Sequence, residues 1–145
     1  MRLGRITIYA RDVEATVSFY EKYFGFTALR LEGDRIIELV SADGGANLMI
    51  HAAAKSQKMG QVLVKLGFDV EDVAGFCARC AEQGLHFGPL HKADGYVFAN
   101  AKDPSGNPIS VTSRASVTPD GANGNGQRSN ANGHRQNTGG GRSLL

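Results

Sequence analysis

Two stretches of the chain carry the same order of hydrophobic and polar positions. Each begins with alternating apolar and polar residues, which is typical of a strand with one buried face. An aspartate follows, Asp12 in the first stretch and Asp72 in the second, and its side chain can accept a hydrogen bond from the first helical turn. Apolar residues then recur at spacings of three and four until a glycine. The pattern predicts a strand and a helix in each half, with the helices ending at Gly25 and Gly84.

Short extended runs follow each predicted helix and are separated by turn residues. The predicted strands are 26–31, 35–40 and 47–51 in the first half and 85–87, 96–101 and 109–112 in the second. Each half therefore reads as a βαβββ unit, one in residues 3–53 and one in residues 62–114, joined by a linker at residues 54–61. Because each unit buries only one face, we expect the two units to share a core.

The body of the chain and its C-terminal end differ in composition. The sequence has 145 residues, of which 41% are hydrophobic, so residues 1–115 are enough for one domain with a core. In residues 116–145, Gly, Asn, Ser, Gln and Arg dominate. Such a segment cannot bury enough apolar surface to offset its chain entropy, so we expect a disordered tail there.

The formal net charge of +2 comes from the tail. Three of the 16 Lys and Arg and one of the 14 Asp and Glu lie after residue 115, which leaves 13 of each sign in the body. A neutral body argues against nucleic acid as the partner, because phosphate binding needs clustered cations. No apolar run approaches the roughly 20 residues of a membrane span, and we expect no signal peptide. These observations predict a cytoplasmic protein with reduced thiols and no membrane partner.

Five short motifs mark the body: Arg11-Asp12-Val13, Ser18-Phe19-Tyr20, Phe24-Gly25-Phe26, Val70-Glu71-Asp72-Val73 and Asp103-Pro104-Ser105-Gly106-Asn107-Pro108. Together they resemble the vicinal oxygen chelate superfamily, which includes glyoxalases, bleomycin-resistance proteins and extradiol dioxygenases. The resemblance implies an α+β fold in which two tandem βαβββ modules form curved mixed sheets around a cavity, often in a homodimer. The superfamily hosts several chemistries and several non-catalytic binders, so the fold by itself leaves the function open.

The resemblance also implies where catalytic members hold a divalent metal, and this chain departs from the pattern there. One ligand lies seven residues before the helix-capping aspartate, where this chain has Arg5 and Lys65. Another is a glutamate three residues after the asparagine of the Asp-Pro-x-Gly-Asn turn, which is Ser110 here. Its first-module counterpart is Ile50, or Met49 if the register differs by one. None of these side chains is a suitable ligand for a divalent metal, so we expect no metal and no other cofactor.

His51 and Glu38 are the nearby strand residues from which a rearranged site could be built. If Met49 takes the ligand position, His51 joins the cavity face, where it could act as an acid or base near neutral pH or as one ligand of a metal. Otherwise His51 is an ordinary residue at the end of a strand, half in solvent. His51 and Glu38 are therefore the candidate catalytic residues, and whether the chain is an enzyme stays open.

The residues that replace the metal ligands predict a different kind of pocket. Strand alternation places them on one face together with hydroxyl and aromatic side chains. Two cations beside hydroxyls and rings suit a small ligand that carries a carboxylate or another anionic group. The alternative is that both cations lie in water or pair with Glu38 or Asp69. The predicted ligand-binding residues are Arg5, Thr7, Tyr9, Lys65, Tyr96, Phe98, Ser110 and Thr112.

Cys77 and Cys80 form a Cys-x-x-Cys sequence in the middle of the second predicted helix. A redox site would place its first cysteine at a helix N-terminus, and a structural zinc would need a second pair of ligands. We expect both cysteines to pack in the core.

A small-molecule-binding protein of the bleomycin-resistance type, working without metal, is the function that these patterns favour. Sequestration of an anionic or toxic compound is its concrete form. The alternative is a glyoxalase-like, metal-dependent lyase, isomerase or dioxygenase with a rearranged site around His51 and Glu38. A third hypothesis is a scaffold that keeps the fold and presents its tail to a partner.

Overall fold

The computed structural model describes residues 1–116, and the predicted disordered tail lies, apart from its first residue, outside the described part of the chain. Two copies of a βαβββ order follow one another, and a three-residue 3₁₀ helix at Arg114–Ser116 ends the described chain. In chain order the elements are β1 (Arg5–Ala10), α1 (Val13–Phe24), β2 (Phe26–Leu29), β3 (Ile36–Ser41), β4 (Asn47–Ala52), β5 (Leu66–Asp69), α2 (Val73–Glu82), β6 (His91–Ala93), β7 (Tyr96–Lys102) and β8 (Pro108–Thr112).

Each module forms one four-stranded mixed sheet. The strand order is β1-β4-β3-β2 in the first module and β5-β8-β7-β6 in the second. In both sheets the first strand pairs in parallel with the last strand, and the other pairings are antiparallel. The predicted fold class, two tandem βαβββ modules with mixed sheets, is confirmed. The topology leaves β1 and β5 at the edges of their sheets, with one side of each backbone unpaired within residues 1–116.

Both helices begin and end as the sequence predicts. Asp12 and Asp72 each accept a hydrogen bond from the backbone N–H three residues further on, at 3.0 and 2.9 Å. Gly25 adopts the left-handed conformation directly after α1, with φ of 68°, and Gly84 does so two residues after α2, with φ of 99°. Neither helix has the length and hydropathy that crossing a membrane requires, as far as the described residues go.

The predicted strand at residues 85–87 is wrong. The strand that pairs with β7 is β6, and it lies further along the chain. Leu85 is buried in the core, and its N–H donates to the carbonyl of Cys80 at the end of α2, while the N–H of Gly88 donates to the carbonyl of Asn100. Residues 85 and 87 are both apolar because they lie in a loop that packs on the core, and their alternation does not indicate a strand.

The helix-covered faces of the two sheets share one core, as predicted. Leu39, Leu48 and Ile50 of the first sheet lie in the same buried cluster as Leu66 and Ile109 of the second. α1 bridges the modules, because the ring of Phe24 at its C-terminal end stacks on the ring of Phe68, with the centroids 4.1 Å apart. The two modules are therefore held together by apolar burial on the sides of the sheets that face the helices.

A buried polar contact, which we call the latch, fixes the turn between β7 and β8 onto α1. The latch consists of Thr16, Tyr20, Asp103, Ser105 and Asn107. The Tyr20 hydroxyl donates to Asp103 at 3.0 Å, and the hydroxyls of Thr16 and Ser105 lie 2.9 Å apart. Asp103 also accepts from the backbone N–H groups of Ser105 and Asn107 and from the Asn107 side-chain amide, each at 2.9 Å. Burial, and then the negative charge of Asp103, raises the pKa of Tyr20 well above its usual range.

Candidate functional site

The register of β4 decides between the alternatives left open by the sequence. Met49 pairs with Thr7 and Ile50 pairs with Ile8. Ile50 is fully buried on the helix side, so Met49 is the residue that shares a face with Thr7. The counterpart of Met49 is Ser110, which pairs with Gly67. Across from them lie Glu38 on β3 and Asn100 on β7. Met49 lies 37 residues after Asp12, whereas Ser110 lies 38 residues after Asp72. The second module is therefore one residue longer between its helix cap and its last strand, which shifts the register from that of a strict repeat.

The face of the first sheet that turns away from the helices carries one group of the predicted residues. Arg5, on this face, donates through Nε to Glu38 at 2.9 Å, and the Asn47 amide donates to the same carboxylate oxygen at 2.9 Å. The hydrogen bond from Asn47, followed by the bond and charge of Arg5, lowers the pKa of Glu38. The charge of Arg5 is thus offset within its own module. The first open face consists of Arg5, Thr7, Tyr9, Ile36, Glu38, Asn47, Met49 and His51.

His51 is half-buried on the first open face, beside the ring of Tyr9, with ring centroids 5.4 Å apart. Its Nδ1 lies 2.8 Å from the carbonyl oxygen of Ala52. A carbonyl can only accept, so Nδ1 carries a proton, and in the neutral ring Nε2 is left as an acceptor. Glu38 is directed to Arg5 and Asn47 instead. The structure thus places both candidate catalytic residues on one face but gives them different partners.

The corresponding face of the second sheet carries the other predicted residues. Lys65, directly before β5, donates to the side-chain oxygen of Asn100 at 2.9 Å. Lys65 and Asn100 are the counterparts of Arg5 and Glu38, so the two contacts are equivalent except that the partner of Lys65 is neutral. The salt bridges found within residues 1–116 do not include Lys65. The second open face consists of Lys65, Asp69, Tyr96, Phe98, Asn100, Ser110, Thr112 and His91.

An aromatic group covers the outer part of the second open face. The ring of His91 on β6 stacks on Phe98, with centroids 4.9 Å apart and planes inclined by 21°. The guanidinium of Arg114 lies 4.9 Å above the ring of Tyr96. Sequence analysis missed His91 because it placed the strand too early. The two-residue turn Asp94-Gly95, which is the strongest short-range hairpin signal, could have found it.

The residues at the usual metal positions do not fit a divalent ion. Arg5 and Lys65 are cations, Ser110 is a neutral hydroxyl, and Met49 has only a thioether. A divalent metal needs carboxylate oxygen, neutral imidazole or thiolate donors. Across the described part of the chain, three or more His, Cys, Asp or Glu side chains nowhere converge as a metal would require.

The Cys-x-x-Cys sequence packs as predicted. Cys80 is buried and Cys77 is half-buried, and both are free thiols. Burial is the main cause that raises the pKa of both thiols. A raised pKa keeps a thiol protonated and unreactive near neutral pH, so these residues belong to the core.

The predicted ligand-binding residues fall into two groups that one chain does not bring together. Arg5, Thr7 and Tyr9 lie on the first open face, whereas Lys65, Tyr96, Phe98, Ser110 and Thr112 lie on the second. The contacts between the modules use the opposite, helix-covered faces. Each open face is therefore accessible to solvent in the single chain.

Comparison with known proteins agrees with this architecture. Residues 2–111 match the model of the Glyoxalase/Bleomycin resistance protein/Dioxygenase superfamily, and the chain belongs to that family. No curated protein sequence matches the chain.

Similar solved structures include proteins with different descriptions. TnmS3, an antibiotic binding protein from Streptomyces sp. CB03234, has a TM-score of 0.65 at 21% identity, covering 77% of this chain and 93% of its own. A glyoxalase/bleomycin resistance protein from the same Streptomyces has a TM-score of 0.60 at 21% identity, covering 74% and 96%. Lactoylglutathione lyase from Agrobacterium tumefaciens has a TM-score of 0.60 at 20% identity, covering 75% and 90%. At this identity the similarity shows the fold, and both binders and an enzyme carry it.

Proposed function

We propose that the protein binds a small aromatic compound with an anionic group, without a metal, and acts by sequestering it. One observation carries the proposal. At the position where catalytic members hold a metal ligand, Lys65 has a neutral partner, Asn100, and shares its face with the His91–Phe98 ring pair. A cation beside stacked rings is suited to an aromatic carboxylate or a similar anion.

The two open faces would contribute different groups to ligand binding. Glu38 offsets the charge of Arg5, so the first face offers mainly hydrogen-bonding groups: the Thr7 hydroxyl, the Tyr9 phenol and Nε2 of His51. The charge of Lys65 stays available on the second face. An anionic group therefore binds at Lys65, and the remainder of the ligand contacts the rings.

A homodimer completes the site in our proposal. Each open face is half-exposed in the single chain, and Tyr9 is 44% exposed although it is a large aromatic residue. Two copies can place the first open face of one chain against the second open face of the other, which encloses a ligand between them. The description of TnmS3 as an antibiotic binding protein supports the class of function for a chain of this fold.

The test uses 1-naphthylacetate as an anionic aromatic probe, titrated into the purified full chain and followed by calorimetry. Saturable binding is expected. Lys65→Met should weaken it by roughly tenfold, which is the usual value of one charge-assisted hydrogen bond. The matched control is Lys92→Met, because Lys92 is an exposed lysine on β6 whose position alternates with that of His91 and so lies off the second open face.

Two results would overturn the proposal. One is equal affinity in Lys65→Met and Lys92→Met, since the cation would then have no role. The other is a stoichiometric divalent metal in the purified protein, which would favour the enzyme alternative around His51 and Glu38.

A further inference from the structure

A cavity lies between the modules, on the helix-covered side of the sheets and away from both open faces. Its volume is about 510 Å³. Its walls are Ser41 at the end of β3, residues 43–46 of the β3–β4 loop, the edge strand β5, and the aromatic side chains of α1 and α2. This volume is within the range of roughly 300–1,000 Å³ found for small-molecule sites.

The cavity is present because the two modules differ at this point. In the helices, residues 60 apart correspond, as Asp12 and Asp72 do, so the counterpart of Thr16 is Phe76 and that of Tyr20 is Cys80. The latch hydroxyls of α1 are therefore replaced on α2 by a phenyl ring and a thiol. Within the described residues, no side-chain hydrogen bond joins the 41–46 loop to α2. The β7–β8 turn is thus hydrogen-bonded to α1, whereas the equivalent β3–β4 loop makes no such contact with α2 within the described residues.

The inner wall of the cavity is aromatic. Phe24 stacks on Phe68 with centroids 4.1 Å apart, and Phe76 lies 5.9 Å from Phe24. All three rings are half-buried and leave surface towards the cavity. A wall of this kind favours a flat aromatic ligand, because offset or tilted ring contacts add to the burial of apolar area.

The edge of β5 adds hydrogen-bonding groups to this wall. The Val70 N–H donates to Thr112 of β8 at 2.9 Å, and in a parallel ladder alternate residues point the same way. Phe68 therefore also points to β8, whereas the N–H and C=O groups of Gly67 and Asp69 point to the free edge. Both of these residues line the cavity. The free edge offers a ligand donors and acceptors of fixed direction.

An acidic residue lies on the outer wall of the cavity. The charged residues that line the cavity, counted over residues 1–116, are Asp43 and Asp69, but Asp69 contributes its backbone edge, because its side chain shares the second open face with Thr112. Asp43 lies on the outer loop next to Gly44 and Gly45, whose φ angles of 85° and 82° only glycine adopts readily. These glycines leave that part of the wall without side chains, so Asp43 is the charged residue that the outer loop offers to a ligand.

We propose that this cavity is a second binding site, specific for a flat aromatic compound with a protonated amine. The rings of Phe24, Phe68 and Phe76 contact the ring system, the free edge of β5 hydrogen-bonds to it, and Asp43 attracts the ammonium group. The site has a charge preference opposite to that of the second open face, so one chain can bind an aromatic cation and an aromatic anion at different places.

The experiment compares 1-naphthylmethylamine with 1-naphthylacetate, which share a ring system and differ in charge. Each is titrated into the ¹⁵N-labelled full chain and followed by amide chemical shifts. The amine is expected to saturate and to shift the amides of Gly44, Gly45, Gly67 and Asp69. Asp43→Asn should weaken the amine by roughly threefold, which is typical of an exposed charge pair, and leave the acetate unchanged.

A matched pair of variants tests the location. Ala46 lines the cavity, whereas Ala42 lies on the same loop, is exposed and does not line it. Ala46→Trp should fill the cavity and abolish amine binding, while Ala42→Trp should leave it intact. Lys65→Met, on the second open face, should also leave it intact.

Three outcomes would overturn the proposal: no saturable shift with the amine, shifts confined to the open faces, or equal loss in Ala46→Trp and Ala42→Trp. Asp43→Asn lies on an exposed loop, so it tests the charge preference even if Ala46→Trp fails to fold. Weaker acetate binding in Lys65→Met with intact amine binding separates this site from the proposed function.

Discussion

The two modules have the same topology but make different use of the connection between their last two strands. In the second module, the turn at residues 103–107 buries Asp103, Ser105 and Asn107 and is hydrogen-bonded to α1 through the latch. In the first module, residues 42–45 are exposed, and residues 43–45 line a cavity. The difference arises from a few residues, since Thr16 and Tyr20 on α1 correspond to Phe76 and Cys80 on α2. One copy of the repeat thus stabilises the contact between modules, and its twin leaves space for a ligand.

The open faces show a second contrast of the same kind. Arg5 and Lys65 are equivalent in position, and each reaches the residue at the same place on the third strand of its sheet. Glu38 neutralises one cation, whereas Asn100 leaves the other charged. A repeat that places equivalent side chains at equivalent points can therefore acquire two different sites by single substitutions.

The largest expected effect is on the latch. Asp103→Ala removes the acceptor of four hydrogen bonds in a buried place and should lower the free energy of unfolding by about 3 kcal/mol. The control is Ser41→Ala at the corresponding strand end of the first module, which should cost less than about 0.5 kcal/mol. Urea denaturation measures both. Similar losses in the two variants would contradict the asymmetry.

Tyr20→Phe keeps the buried ring and removes one donor to Asp103, so we expect a loss of about 1–1.5 kcal/mol near neutral pH. The variant also changes the pH dependence. Because the folded state raises the pKa of Tyr20, the unfolded chain releases this proton first, and the wild type loses stability as the pH rises above about 10.

Urea midpoints on either side of that pH test the linkage. The difference between wild type and Tyr20→Phe should shrink as the pH rises above about 10, because the variant lacks the ionisable group. A constant difference across that range would show that the Tyr20 hydroxyl titrates as in the unfolded chain.

Glycine substitutions compare the two connections directly. Gly45 and Gly106 both have a φ of 82°, so alanine strains each backbone by about 1 kcal/mol. An added Cβ at Gly106 would also lie 3.4 Å from Cα of Gly60 in the linker, whereas one at Gly45 meets nothing within 4 Å. Thermal unfolding should therefore show a larger loss for Gly106→Ala. The reverse order would mean that the first-module loop is the more tightly packed.

The smallest effects concern the open faces and are measured as affinities for 1-naphthylacetate. Glu38→Gln frees the charge of Arg5 and should strengthen binding by roughly threefold, whereas Asn100→Asp offsets Lys65 and should weaken it by a similar factor. Neither change should alter the folded structure seen by circular dichroism. Changes in the same direction for both variants would show that the two cations do not act as separate charges.

Local patterns in the sequence were enough to predict most of the frame. The caps Asp12 and Asp72, the stops at Gly25 and Gly84 and the alternating strands are short-range features, so propensity and periodicity identify them. The strand around His91 was missed because residues 85–87 alternate like a strand but lie in a loop that packs on the core. The departure at the metal positions was also readable, because it depends only on which residue types occupy them.

The tertiary structure alone decided the partners of these residues. The first module has one residue fewer than the second between its helix cap and its last strand, so Met49 is the counterpart of Ser110 and shares the open face with His51. A one-residue change of register reverses the facing of a whole strand. That Glu38 neutralises Arg5 while Lys65 keeps its charge depends on side chains 33 and 35 positions apart meeting across a sheet. The sequence by itself determined two βαβββ modules with the same order of helix and strands. Packing between the modules determined that the β7–β8 turn is hydrogen-bonded to a helix while the β3–β4 loop borders a cavity. The physical reason is that both outcomes depend on contacts between residues far apart in the sequence, which local patterns do not reveal.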